Sequence, residues 1–244
     1  MIADEEAVLK KVQVAIEGEP RIRFHTSPLH VELKGNRLLL DGDVDSVASK
    51  RLAVRLAAAA DGLEAVEDQI CVVPAEARTD GEILDSYTQL ILGQIDLKNC
   101  AISRSAKGQM ELLHQTLDDD RSGEFTFSVT DGAVTLDGFV ISLSHKRLAE
   151  VLAWWVPGCR NVINRLAVKP AENDSDDEVS DAVRLALEID PLLAHADQIN
   201  LTTSRGIVTM QGVIASEEER QMAEFDAWCV LGVNDVQNRL EVRR

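Results

Sequence analysis

The chain has 244 residues, and 42 acidic side chains against 25 basic ones give it a formal net charge of −17. So acidic a chain repels phosphate backbones and anionic headgroups, whose binding draws on Lys and Arg, which argues against nucleic acid as a partner. An apolar content of 45% can build a substantial core, yet no apolar run nears the roughly 20 residues that cross a bilayer.

The opening MIADEEAVLKKV has neither the basic region nor the apolar stretch of a secretory signal, so the expected location is the cytoplasm. Val8, Leu9, Val12 and Ile16 recur at helical spacing up to Glu19-Pro20. Val31 and Leu33 alternate into a turn at Lys34-Gly35-Asn36, where Asn36 is expected to take the left-handed position. Leu38, Leu40 and Val44 form a half-buried strand. Gly42 lies on its apolar face, where the missing side chain is expected to let a helix approach. Ser46 is a suitable N-cap for a helix over 47–60 that stops at Gly62. Val66, Asp68, Ile70 and Val72 return to period two, and the order is α-β-β-α-β.

About 50 residues then separate Pro74 from Glu124. Two segments in them, 82–92 and 107–117, have helical spacing, and the sequence leaves open which one leads the next unit. From Phe125 the same frame returns without a gap. Phe125, Phe127 and Val129 precede a turn at Thr130-Asp131-Gly132, followed by Val134, Leu136, Gly138, Val140 and Ser142. A helix over 143–156 ends at Gly158, and Val162, Asn164, Leu166 and Val168 form the last strand. The acidic segment KPAENDSDDEVS at 169–180 reads as a linker.

The frame appears a third time. Val183, Leu185 and Leu187 lead to Asp190-Pro191; Ile199, Leu201 and Thr203 to the turn Ser204-Arg205-Gly206; and Val208, Met210, Gly212 and Ile214 to Ser216. Ser216 and Glu219 have capping-box spacing before a helix over 217–230. Gly232, Val236, Asn238, Leu240 and Val242 complete the unit, and Ala53, Ala149 and Ala223 share one position. Internal repetition of this kind fixes the architecture. The fold expected is α+β, three tandem α-β-β-α-β units, each a three-stranded mixed sheet with two helices on one face. The boundaries are 1–74, 75–169 with an N-terminal insertion, an acidic linker at 170–177, and 178–244.

Little in this frame resembles catalytic machinery. Cys71, Cys100, Cys159 and Cys229 lack the close pairing of a zinc site and are expected as free thiols. His25, His30, His114, His145 and His195 have no ligand spacing, and no GxSxG, Gly-rich phosphate loop, HExxH or EF-hand pattern occurs. The carboxylate runs Asp118–Asp120 and Asp174–Glu178 read as solvated turn and linker. Asp68, Asn164 and Asn238 share the parity of the core face, and a polar group there must find partners. The expected role is to tie the strand to a neighbouring loop or helix end.

The frame resembles the BON domain (bacterial osmotically induced and nodulation), most clearly in 178–244 through IDPLL, RGIVTMQGVIAS and GVNDVQNRLEV. The second copy matches from Phe125 to Val168 with Gly158-Cys159 for Gly-Val, and the first has GEP for DP and Asp68 for Asn. The resemblance implies a non-catalytic binding or scaffolding protein, stress- or envelope-related, without cofactor or metal, contacting protein or phospholipid and open to homo-oligomer formation. The alternative is a cytoplasmic sensor of a small ligand or potassium. Trp154, Trp155, Cys159 and Trp228 are the candidate partner surface, with core packing or inter-domain contact as the other reading of the tryptophans. Adjacent tryptophans on a helix point about 100° apart, so one can face the sheet while the other lies toward an edge.

Overall fold

The computed structural model describes residues 2–23, 28–116 and 122–243. They form two compact units, residues 1–73 and 74–244. The first repeat is a unit by itself, whereas the second and third share one.

The first unit runs α1 (Ile2–Glu17), β1 (His30–Lys34), β2 (Arg37–Val44), α2 (Val47–Ala58), β3 (Ala65–Val72). β2 is central, antiparallel to β1 and parallel to β3. A parallel pair needs a crossover, and α2 supplies it. Ser46 caps α2 by accepting from the Ser49 N–H at 3.1 Å. Val12, Ile16, Leu38, Leu40, Leu52, Ala53 and Ile70 are buried between helices and sheet, and the opposite face carries Arg37, Asp41 and Glu67 to solvent. The left-handed residue of the hairpin is Gly35 (φ 64°), not Asn36 as expected. A glycine carries positive φ without a Cβ clash, so the strain falls there.

The second repeat comprises α3 (Asp80–Gly93), β4 (Cys100–Ala106), β5 (Gln109–His114), β6 (Gly123–Thr130), β7 (Ala133–Val140), α4 (Leu143–Trp154) and β8 (Asn161–Val168). Its sheet has five strands in the order β5-β4-β6-β7-β8, rather than three. The segment 82–92 lies in a helix, and the described part of 107–117 does not. Lys107 (φ 52°) and Gly108 (φ 77°) are both left-handed, the signature of a type I′ hairpin, and they fold 109–114 back on β4 as a strand. The insertion is thus a β-hairpin and α3 is the leading helix. Thr79 and Glu82 close a full capping box at its start.

The third repeat runs α5 (Asp176–Ile189), β9 (Asn200–Ser204), β10 (Ile207–Ile214), α6 (Glu217–Cys229) and β11 (Asp235–Val242), with β10 central. Ser142 and Ser216 cap α4 and α6 as Ser46 caps α2. Glu219 does not close the box expected with Ser216: its carboxylate accepts from the Ala215 N–H at 3.0 Å and lies 3.2 Å from His195 Nδ1. Ser175, at the end of the expected linker, is the N-cap of α5.

Gly42, Gly138 and Gly212 admit the chain that leads into or forms the first strand of the hairpin, rather than a packed α-helix. A Cβ on Gly138 would sit 2.3 Å from the Glu124 carbonyl oxygen of β6, and one on Gly212 2.2 Å from that of Gln198. The close approach is by the preceding chain segment, and both glycines have positive φ (133° and 149°).

Candidate functional site

The polar positions that the repeats share come together as a bond between helix and last strand. In the second repeat Asn164 Nδ2 donates to the Lys146 carbonyl (3.1 Å) and to Glu150 (2.9 Å), while its Oδ1 accepts from the Leu166 N–H. Asn238 does the same with the Arg220 carbonyl (2.9 Å), Glu224 (3.0 Å) and the Leu240 N–H. The tie goes to the body of the helix rather than its end. In the first repeat the polarity is reversed. Lys50, at the position of Lys146 and Arg220, donates its ammonium to Asp68 (2.6 Å) and to the Ile70 carbonyl (2.7 Å).

A second shared device joins the leading helix to the hairpin turn. Asp80 in the first turn of α3 accepts from the Asp131 and Gly132 N–H groups at 3.0 and 2.8 Å. Asp176 in the first turn of α5 accepts from Arg205 and Gly206 at 2.7 and 2.8 Å. Those two backbone donors, Gly206 first, hold the Asp176 carboxyl below its usual value. The equivalence of Asp80 and Asp176 independently marks α3 as the leading helix.

The second and third repeats meet through α4, α5 and α6. Arg147 of α4, 1% exposed, donates through Nε to the Leu231 carbonyl (2.8 Å) and through Nη2 to Asp174 (2.6 Å). Trp155 donates its indole N–H to Asp226 of α6 at 2.8 Å. Asp226 is fully buried. Burial, then the charge and hydrogen bonding of Asp190, push its carboxyl up to about 8, with the Trp155 bond pulling the other way. A carboxyl so placed is neutral below that pH and can donate as well as accept.

Of the residues expected to form a partner surface, Trp154, Cys159 and Trp228 are buried, and Trp155 is half-buried against Asp226. The Trp154 indole N–H has no partner among the described residues, so Trp154 contributes area rather than a bond. Pro157 is exposed. All four cysteines are thiols rather than disulfides, three of them buried.

The remaining titratable groups are dispersed. His145 Nδ1 lies 2.6 Å from the Ser142 hydroxyl, and burial holds its pKa down. His114 Nε2 lies 2.7 Å from the Lys98 carbonyl, and His30 is exposed. His25 and Asp118–Asp120 lie outside the described residues. Among the described residues no group of three or more His, Cys, Asp or Glu could hold a metal ion, and no helix is long and apolar enough to cross a membrane.

A family model described as "BON domain" matches the chain three times, over residues 4–74, 111–170 and 175–244. The second match begins inside β5, because the inserted hairpin parts α3 from β6. Osmotically-inducible protein Y of Escherichia coli (strain K12) is 26% identical over 132 residues, spanning 52% of this chain and 65% of that protein, less than two thirds of it. The C-terminal domain of CdsD, the structural protein of the type III secretion system of Chlamydia trachomatis, is 12% identical and covers 97% of this chain and 98% of its own, with a TM-score of 0.25. A further CdsD structure gives the same score. Such scores carry no structural argument.

Proposed function

Since the chain belongs to the BON-domain family, with three units in tandem, we propose that it is a non-catalytic, stress-related binding protein acting through contacts with other proteins. One observation carries this reading: the polar side chains at shared positions are spent on structure. They bind helix to strand, as Asn164 and Asn238 do, or turn to helix, as Asp80 and Asp176 do. The sheet faces opposite the helices carry exposed residues such as Arg37, Asp41, Asp137 and Gln211, and a surface rather than a cleft is then the means of action. The similarity to an osmotically inducible protein supports the stress-related part. Four cysteines held as thiols rather than disulfides fit a reducing compartment, and we place the protein in the cytoplasm.

The test is light scattering from a chemically unfolded enzyme diluted into buffer with an equimolar amount of the full chain. Scattering falls at least by about half if the reading holds, because surface capture competes with self-association. Unchanged scattering contradicts it. Sedimentation with anionic and with neutral vesicles separates the lipid version: the protein stays in the supernatant with both, and pelleting would replace protein by lipid as the target.

A further inference from the structure

We infer that the free edge of β5 is a docking edge for an extended polypeptide segment, which adds to the five-stranded sheet as a sixth strand. Among the described residues β5 is the terminal strand of its sheet, so one side of its backbone offers N–H and C=O groups to whatever strand lies alongside. Its side chains do not protect that edge. Met110 and Leu112 are 68% and 58% exposed. Pairing with Ser105 and Ser103 puts both on the sheet face away from the helices.

Natural edges are blunted with lysine, proline or inward charge, and Gln109–His114 contains no lysine or proline. Its one formal charge, Glu111, is taken up by Arg104 (2.8 Å), which also binds Asp85 of α3 at 2.8 Å. That fastening holds the hairpin against α3, so the edge is held in place rather than loose. The outer repeats lack the insertion. Their corresponding edges are β1, where Lys34 pairs with Glu32, and β9, which presents Thr202 and Ser204. Among these three corresponding edges the apolar one is that of the inserted strand.

The occupant follows from this chemistry. Unpaired backbone groups are met best by another strand, and side chains at every second position of that strand fall beside Met110 and Leu112. The occupant is thus extended, with apolar residues at alternate positions. A net charge of −17 repels acidic segments and a second copy of the chain, and draws in basic flanks.

This inference rests on the protein-binding reading above and names its surface. The probe is a fluorescein-labelled peptide, Lys-Val-Thr-Val-Thr-Val-Lys, titrated with the full chain and read by anisotropy. Binding saturates. It weakens roughly tenfold or more, a shift of at least one decade in Kd, in the Met110→Thr/Leu112→Thr double variant, whose folding is verified by tryptophan fluorescence. A peptide with proline at the central valine binds less, and amide exchange in Gln109–His114 slows with the original peptide. Absence of saturation up to ~1 mM, or equal binding by the double variant or by the proline peptide, overturns the inference. So does a dimer of the free chain that the double variant abolishes, since a second copy would then cover the edge. If wild type and double variant suppress light scattering equally, the β5 edge is wrong and the general reading stands. If wild type fails to suppress it, the general reading fails by itself.

Discussion

In the first unit an ammonium reaches from α2 to a carboxylate on β3, and in the second unit an amide reaches from strand to helix. Lys50 with Asp68 and Asn164 with Glu150 meet the same mechanical need, bonding the crossover helix to the strand it leads into. They differ in charge. Burial holds the Lys50 pKa below its ordinary value even with Asp68 beside it, so the ion pair does not fully offset the desolvation of the lysine. The amide version leaves no ammonium to desolvate. The first repeat has Val54 where the others have Glu150 and Glu224, so an asparagine at position 68 would lack its second acceptor, and the charged solution goes with that loss. A shared position therefore conserves a bond between two elements, and the residue types serve that bond.

Perturbing each kind of buried polar group tests the contrast. The largest effect is expected in the second unit, at Asp226. Its carboxyl titrates near 8 in the folded chain against an ordinary 3.8, so the folded state holds a proton that the unfolded state has released. Stability of this unit then falls as pH rises from about 4 to about 8, by up to about 1.4 kcal/mol per pH unit. Asp226→Asn, which still accepts from Trp155, flattens that slope and raises the urea midpoint at pH 8. All three tryptophans lie in this unit, so their fluorescence reads it selectively. Next is Asp68→Ala, which leaves the buried Lys50 ammonium on the Ile70 carbonyl without its counter-charge and costs the first unit up to about 3 kcal/mol. That unit has no Trp or Tyr, and hydrogen exchange in β3 is the readout. Asn238→Ala removes the side-chain bonds to the Leu240 N–H, the Arg220 carbonyl and Glu224 and costs about 1–3 kcal/mol, read by fluorescence.

The frame of serine caps, alternating strands and polar ties was legible because each feature depends on neighbours in sequence or on one crossover. The junction of the second and third repeats was not. Arg147 has an arginine at its own position in the first repeat, Arg51, so nothing local marks it as a bridge. Asp226 could have been noticed, since the other copies have Leu56 and Leu152 there. The choice of α3 over 107–117 was also available in principle. Thr79 and Glu82 carry a capping box, and Lys107-Gly108 has the form of Asp131-Gly132 and Arg205-Gly206. Periodicity alone favoured neither segment, because Met110 and Leu113 fit a helix while Met110 and Leu112 fit a strand. The tryptophans take the other reading open to them, core packing and contact between repeats: Trp154 and Trp228 are buried and Trp155 bonds Asp226 of the neighbouring repeat.

The central claim, that the 68/164/238 position is a structural tie with two interchangeable polarities, is tested most directly by rebuilding one in the image of the other. Asp68→Asn alone weakens the first unit, since it removes the charge that partners Lys50. Adding Val54→Glu supplies the acceptor found at Glu150 and Glu224, and β3 exchange protection should return to within ~1 kcal/mol of wild type. If the double variant is as unstable as Asp68→Asn, or less stable, the two arrangements are not equivalent and the claim is wrong.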